Sequence, residues 1–419
     1  MSRESNNKKI HYGWWIMVSC CAFYGGTIGI LGNTMGLFLQ PVMQEMSWTR
    51  TEASYYMSIM PLVAALIQPI AANLFKKYSI RLVLGLAILL FSGSYIATSQ
   101  FNTLLSWNIY GVLYGLSAGF LMYLPVPLLI NNWFKKRVGI AMGISLAFVN
   151  ISGAVFNPVA SNLIAEIGWR DARVVLGIVS LLISLPFAVL LVRYKPEELK
   201  MKPYGFDEHA SNSQTANTAL SGISFKHAVK TVPFYSSILL AGLFVLCASM
   251  MQQVPGYAGS IGFDPATGAS AVSIVMAGSI VGKIGLGYIN DKFGTMVTAF
   301  LACAFGASGA LIVLLAGSNA TLFLIGTAFF GLGYAALTII PPLVVRTVFG
   351  QRSYGEIYSM ITLGLGFFSA ASPLIYARIF DATQSFKIAW LLVLCAYIIG
   401  CVLVPIIMKL GKNLKVDWE

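Results

Sequence analysis

Lys283 stands alone in the apolar run from Ala269 to Ile289, and its nearest acidic neighbours in sequence are Asp264 and Asp291. A charge held at that depth in hydrocarbon costs roughly 3 kcal/mol on insertion scales, so such residues usually serve a substrate or ion pathway. The chemistry open to a solitary ammonium is neutralisation of a bound anion. Ser279, one helical turn earlier, shares the Lys283 face with Ile280, Leu286 and Gly287, whereas Gly278, Gly282 and Gly285 lie on faces that let helices approach closely. Tyr123 can donate a hydrogen bond to a carboxylate. Asn33, Asn150, Gln252 and Gln253 are amides inside apolar runs, able to bond a ligand or another helix. The competing reading of Lys283 is snorkelling: Asp291 is eight residues on, about 12 Å at the helical rise, and the lysine stem reaches part of that way towards the interface. A nucleotide-binding Gly-Lys loop is excluded, because Ala277 stands where its first glycine belongs.

These residues must be positioned by membrane helices. The chain has 419 residues, 57% hydrophobic and 10% charged, too few charges for a soluble surface. Twelve apolar segments are expected, at about 12–38, 53–75, 80–100, 104–131, 138–165, 172–192, 234–259, 267–290, 296–316, 321–345, 354–377 and 388–408. No short apolar stretch with a small-residue cleavage site precedes the first, so a removed signal peptide is not expected. The polar stretch from Arg193 to Lys230 reads as a linker. The expected organisation is a six-helix bundle over 1–192, a cytoplasmic linker over 193–230 and a second six-helix bundle over 231–419. The fold class expected is therefore all-α, with twelve transmembrane helices in two pseudo-symmetric bundles.

The net charge of +12 is distributed as topology and not as a nucleic-acid footprint. With the N-terminus inside, the inner loops and tails collect Arg3, Lys8, Lys9, Lys76, Lys77, Arg81, Lys135, Lys136 and Arg137. The linker and second bundle add the remaining inner cations, and Arg50, Arg170, Arg173, Arg378 and Lys387 fall outside. Lys283 is left over. Every Asp and Glu falls in a loop, a tail or a helix end. The six cysteines read as small hydrophobes within helices, and the three histidines belong to no metal constellation.

The bundles also resemble each other. Gly115-Leu116, Pro125, Trp133-Phe134 and Gly139 find counterparts in Gly331-Leu332, Pro341, Phe349-Gly350 and Gly355, most at an offset of 216 residues. Parallel six-helix repeats imply an axis along the membrane normal and a site at the midplane between them.

At this point the chain resembles the major facilitator superfamily over nearly its whole length. The loop Gly287-Tyr288-Ile289-Asn290-Asp291-Lys292-Phe293-Gly294 is similar to that superfamily's gating motif, with Gly287, Asp291, Lys292 and Gly294 at its signature positions. The first copy, Ala72 to Arg81, departs from it: Lys76 stands where an acid is expected and Ser79 where the second glycine is, so the motif is incomplete there. Within the superfamily, Asn132 to Gly143 and the opening Tyr12-Gly13-Trp14-Trp15 resemble monocarboxylate transporters and the related oxalate:formate exchangers. The resemblance implies that Lys283 replaces the family's carboxylate-neutralising arginine of helix 8, that Ser279 stands at a proton-coupling carboxylate, that Asn33 stands near a helix 1 lysine and Ile361 near a second cation, and that Tyr123 is a retained helix 4 tyrosine.

The expected function is secondary active transport of a small organic anion, a monocarboxylate, since one cation matches one carboxylate. Its partners would be that carboxylate, protons and the lipid bilayer, with no nucleic acid and no cofactor, and the unit would act as a monomer in the plasma membrane with both termini cytoplasmic. The substrate-binding residues expected are Lys283, Tyr123, Asn33, Ser279, Asn150 and Gln252, with Lys283 also coupling the proton. Proton symport is preferred to carboxylate exchange. A multidrug exporter of the same fold would favour a buried acid, a membrane sensor would favour a soluble domain, and an enzyme would need a catalytic cluster.

Overall fold

The computed structural model describes residues 10–206, 222–383 and 385–414. The central part of the expected linker, 207–221, lies outside the described residues. Among those described, ten continuous stretches are long and apolar enough to cross a membrane. Two of them are double. Val138–Leu191 runs for 54 residues, which as a straight helix would measure about 81 Å against a hydrocarbon core of about 30 Å. It folds back at Gly168 (φ 79°, ψ 164°), and its counterpart Ala266–Leu315 folds back at Gly294 (φ 83°, ψ 171°). Both conformations lie where only glycine is at ease. The ten stretches thus make twelve spans.

In chain order these are α1 (Tyr12–Met46), α2 (Arg50–Lys77), α3 (Ile80–Gln100), α4 (Leu104–Trp133), α5 (138–167) and α6 (169–191), then α7 (Val232–Ser260), α8 (265–293), α9 (295–315), α10 (Ala320–Phe349), α11 (Tyr354–Thr383) and α12 (Lys387–Leu414). Side-chain caps start α2, α4, α8 and α10. Thr49 forms a capping box with Glu52, Thr103 accepts from the Ser106 N–H, Asp264 from the Thr267 N–H and Asn319 from the Leu322 N–H. These four caps lie at the end opposite the termini, and His11, accepting from the Gly13 N–H, caps α1 at the other.

Large apolar side chains point outward from the spans, among them Leu66, Leu82, Leu86, Leu182, Val281 and Leu374. In water such a surface would aggregate; here it is the lipid face of a multi-pass membrane protein. An almost wholly apolar recess of about 340 Å³, lined by residues that include Leu82, Leu86 and Phe120, belongs to that outer surface and is remote from Lys283.

The bundles meet along two seams, α5 on α8 and α2 on α11. Backbone contact along α5–α8 is possible because both helices carry glycine: a Cβ on Gly139 would lie 2.2 Å from the Gly287 carbonyl oxygen, and one on Gly287 2.3 Å from that of Gly139. The described linker residues tie both bundles at repeat-equivalent places. Tyr204 donates its N–H to the Trp133 carbonyl at 2.8 Å, and Ile223 to that of Phe349 at 3.1 Å. Positions 133 and 349 are separated by the 216-residue repeat offset.

Candidate functional site

Lys283 is 4% exposed and lies on the α8 face that meets α5. Its Nζ donates to the carbonyl of Leu146 at 3.2 Å. The backbone of Lys283 itself lies against Gly143, so the stem travels about one turn along α5, away from Asp291. Snorkelling would send it the other way. One turn further on, Asn150 Nδ2 donates to Ser279 Oγ at 3.0 Å, both buried. Asn33 donates to the Val149 carbonyl at 2.8 Å and packs on Gly153. Lys283, Ser279, Asn150 and Asn33 therefore line one crossing of α8, α5 and α1.

Tyr123 and Gln252 are placed differently. Tyr123 sits in the break at 122–124, between the helical pieces Leu104–Leu121 and Pro125–Trp133 of α4. It belongs to a buried cluster of neighbouring tyrosines with Tyr24 of α1, Tyr334 of α10 and Tyr358 of α11. Gln252 is exposed on the 3-10 turn Met250–Gln253 within α7, a turn that packs against α12. Of the expected packing glycines, Gly278 and Gly282 do abut α10, while Gly285 faces open space.

Four spans are irregular at mid-depth. α1 contains the π-helical stretch Gly25–Gly32, α4 breaks at 122–124, α7 has its 3-10 turn, and α10 has a turn at Ala335. Irregular backbone inside a membrane is tolerated only where protein or a water-filled cavity surrounds it. These four breaks therefore mark the interior of the molecule.

The seams are closed at the end that carries the termini. Asp291 accepts from the backbone N–H of Gly139 at 2.7 Å and of Ile140 at 2.8 Å, placing a carboxylate on the first turn of α5. Lys76, which the degraded motif left without a role, pairs with Glu356 in the first turn of α11 at 2.5 Å. The two loops thus meet equivalent helix starts with opposite charge arrangements, acid on backbone in one and lysine on acid in the other. Between them Lys135 donates to Gln351 at 2.6 Å, and Arg346 donates to Asn131 at 2.7 Å and to the Phe134 carbonyl. A polar recess of about 490 Å³ lies at this end between the bundles, lined in part by Lys135, Arg137, Asp291 and Arg346. Beyond the Asn150–Ser279 level, Ala154, Pro158 and Ser161 of α5 and Ser273 and Ala269 of α8 are exposed, while Val275 and Gly268, in line with Ser279, stay buried. Lys283 lies between the closed end and these exposed positions.

One expectation is corrected. Arg173 was assigned to an outer loop, yet it is 0% exposed. The reason is the tight turn at Gly168: α6 restarts at once, so Arg173 is already a full turn inside and points into the bundle. Among the described residues the buried charged side chains are Arg173 and Lys283. The sequence did carry a signal, since Trp169, Arg173, Leu176, Ser180 and Ser184 fall on one buried helical stripe.

The model of the Major Facilitator Superfamily matches residues 16–373. The chain is a member of the Major Facilitator Superfamily. Its relatives share it at low identity. Human monocarboxylate transporter 12 is 24% identical over 91% of this chain and 78% of its own length. The probable transporter MCH2 of Saccharomyces cerevisiae is 25% identical over 69% of this chain, which spans 59% of the yeast protein. Among solved structures, the xylose:proton symporter XylE superposes with a TM-score of 0.74 at 13% identity, over 97% of this chain and 99% of XylE. The fucose:proton symporter FucP of E. coli gives 0.73 at 13% identity, over 95% and 99%. These superpositions establish the superfamily fold, and with it the twelve-span architecture.

Proposed function

We propose that this superfamily member is a secondary active transporter of a small organic anion, a monocarboxylate first, working by alternating access with proton symport. In this reading residues 1–192 and 231–419 are the moving bundles and 193–230 the linker. The terminus-bearing end is cytoplasmic in the plasma membrane, the conformation described above faces outward, and one chain suffices.

The observation that carries the reading is the solitary buried Lys283 Nζ on the α5–α8 seam, held only by the neutral Leu146 carbonyl. An ammonium there has lost most of its hydration, and a carboxylate arriving from the open side offsets that loss with a charge-assisted hydrogen bond. Ser279 and Asn150, now bonded to each other, are polar groups one turn away that a carboxylate oxygen can engage. Lysine, unlike arginine, offers no bidentate fork, so the site holds the charge while leaving carboxylate orientation loose. A dianion would keep one charge uncompensated in low dielectric. The name of human monocarboxylate transporter 12 points to the same substrate class.

No Asp or Glu is buried among the described residues, so the proton in this scheme travels with Lys283 and its bound carboxylate. The neutral amine makes the return step. Carboxylate exchange would use the same site with a counter-anion on the return. The test is uptake of a labelled monocarboxylate panel into proteoliposomes with and without an imposed pH gradient. Gradient-driven accumulation of at least one member is expected. Uptake seen only with carboxylate trapped inside would replace symport by exchange, and no uptake of any member would remove the substrate assignment.

A further inference from the structure

Arg173 lies inside the first bundle, near the end opposite the termini, and the scheme above does not use it. Its guanidinium carbon stands 4.8 Å from the ring of Phe38, 4.8 Å from Tyr95 and 4.7 Å from Trp107, with Tyr110 at 6.0 Å. Nη1 donates to Thr98 Oγ1 at 2.8 Å, and Thr98 in turn donates to the Tyr95 carbonyl. Nε and Nη2 meet no acceptor with hydrogen-bond geometry, and the buried Tyr56 hydroxyl of α2 lies close to the same guanidinium. Three further buried donors around the same guanidinium also lack partners: the Tyr95 hydroxyl, the Tyr110 hydroxyl and the Trp107 indole N–H. Half of the buried unpaired polar side-chain atoms among the described residues therefore belong to Arg173 and to the rings packed on it.

We propose that the Arg173 cage binds a monatomic anion of the halide class. The composition of the cage selects the charge. A tyrosine hydroxyl can accept as well as donate, but each must also place its own hydrogen, so pairing the donors among themselves leaves hydrogens over. A water would bring two more hydrogens to a cage rich in donors. An anion accepts several hydrogen bonds and donates none, and it compensates a fully buried guanidinium that faces rings and no carboxylate. Full enclosure by aromatic rings favours an ion without a tail. Bound there, the anion ties α1, α3, α4 and α6 together at the mouth of the bundle, and it does so whatever the chain transports.

The probe is sodium bromide, exchanged against sodium methanesulfonate at constant ionic strength on the purified full-length chain, with tryptophan emission and the unfolding midpoint followed together. Bromide quenches an indole that it touches. Saturable quenching is expected, with a midpoint that climbs over the same concentration range. Arg173→Gln should weaken the apparent affinity by about tenfold or more, the loss of a charge-assisted contact, with Arg173→Lys between. Trp107→Phe should remove the saturable quenching while a rise in midpoint persists. Quenching that stays linear, with a midpoint indifferent to the anion, overturns the proposal on the wild-type chain alone, so it remains testable if Arg173→Gln does not fold. Saturation of equal strength in a folded Arg173→Gln also overturns it. Formate serves as a third salt: saturation by formate and not bromide means that the cage takes a carboxylate, and the halide assignment falls.

Discussion

The Asp291 carboxylate accepts from the Gly139 N–H at 2.7 Å, so an acid at the end of α8 caps the first turn of α5 in the other bundle. A negative charge on a helix N-terminus is worth about 0.3–1 kcal/mol, and up to about 2 in partly buried geometry. The contact exists only while this end is closed. Asp291→Asn should therefore shift the equilibrium towards opening here without unfolding either bundle. Spin labels at Tyr78→Cys and Phe293→Cys, both exposed in wild type, should report a larger population of long distances. An unchanged distribution would show that the cap does not bear on closure.

Lys76 and Glu356 offer a cleaner test because their charges can be exchanged. The pair is partly exposed, at 39% and 31%, so it should contribute no more than about 1 kcal/mol. Lys76→Glu places two acids together and should open the gate as Asp291→Asn does. The double variant Lys76→Glu with Glu356→Lys should restore most of the closure by the same distance measurement. Failure of the swap would mean that the pair is incidental.

Gly139 and Gly287 bring the α5 and α8 backbones into contact. Alanine at either position must push the helices apart, because each new Cβ meets backbone and not a movable side chain. Overpacking of this kind costs about 1–3 kcal/mol. The cost falls on the closed state alone, so Gly139→Ala should populate the opposite conformation, while Gly285→Ala, which faces open space, should be silent. Cross-linking across the seam reads both.

Much of this was legible in the sequence. Twelve spans followed from apolar run lengths, and the Gly287–Gly294 loop pointed to the turn that Gly294 makes. Lys283, Ser279 and Asn150 were legible as polar groups in apolar runs, and helical spacing put the first two on one face. Their meeting across α5–α8 was not, since it depends on which helices of two bundles cross. Tyr123 and Gln252 looked equivalent to them in sequence, and the structure sets them in the breaks of α4 and α7. Arg173 was misplaced because charge counting treats a cation near a loop as solvated. A one-residue turn at Gly168 puts it a full helical turn inside, where its stripe, not its distance from the loop, decides the environment. The role of Lys76 was hidden because its partner Glu356 is 280 residues away.

Lys135 supplies a pH dependence. Partial burial, and then the neighbouring Arg346 guanidinium, hold its ammonium below the usual lysine range in the closed conformation. Opening separates Lys135 from Arg346 and lets it return to its ordinary value. The depressed state binds its proton less tightly, so closure gains as pH rises through the lowered value and the gain is complete above the ordinary one. The closed fraction at the terminus-bearing end should thus increase on the alkaline side of neutrality. Lys135→Gln should flatten that rise while keeping a polar contact to Gln351.

The central claim rests on the ammonium of Lys283, and pH-gradient-driven uptake of the best monocarboxylate by Lys283 variants tests it most directly. Lys283→Ala should lose uptake by about 100-fold or more, since a buried charge partner is worth about 3 kcal/mol when truncated. Lys283→Arg, which keeps the charge but holds its proton too tightly for the neutral return step, should retain carboxylate exchange and lose accumulation driven by the gradient. Wild-type rate and unchanged pH dependence in folded Lys283→Ala would contradict the account.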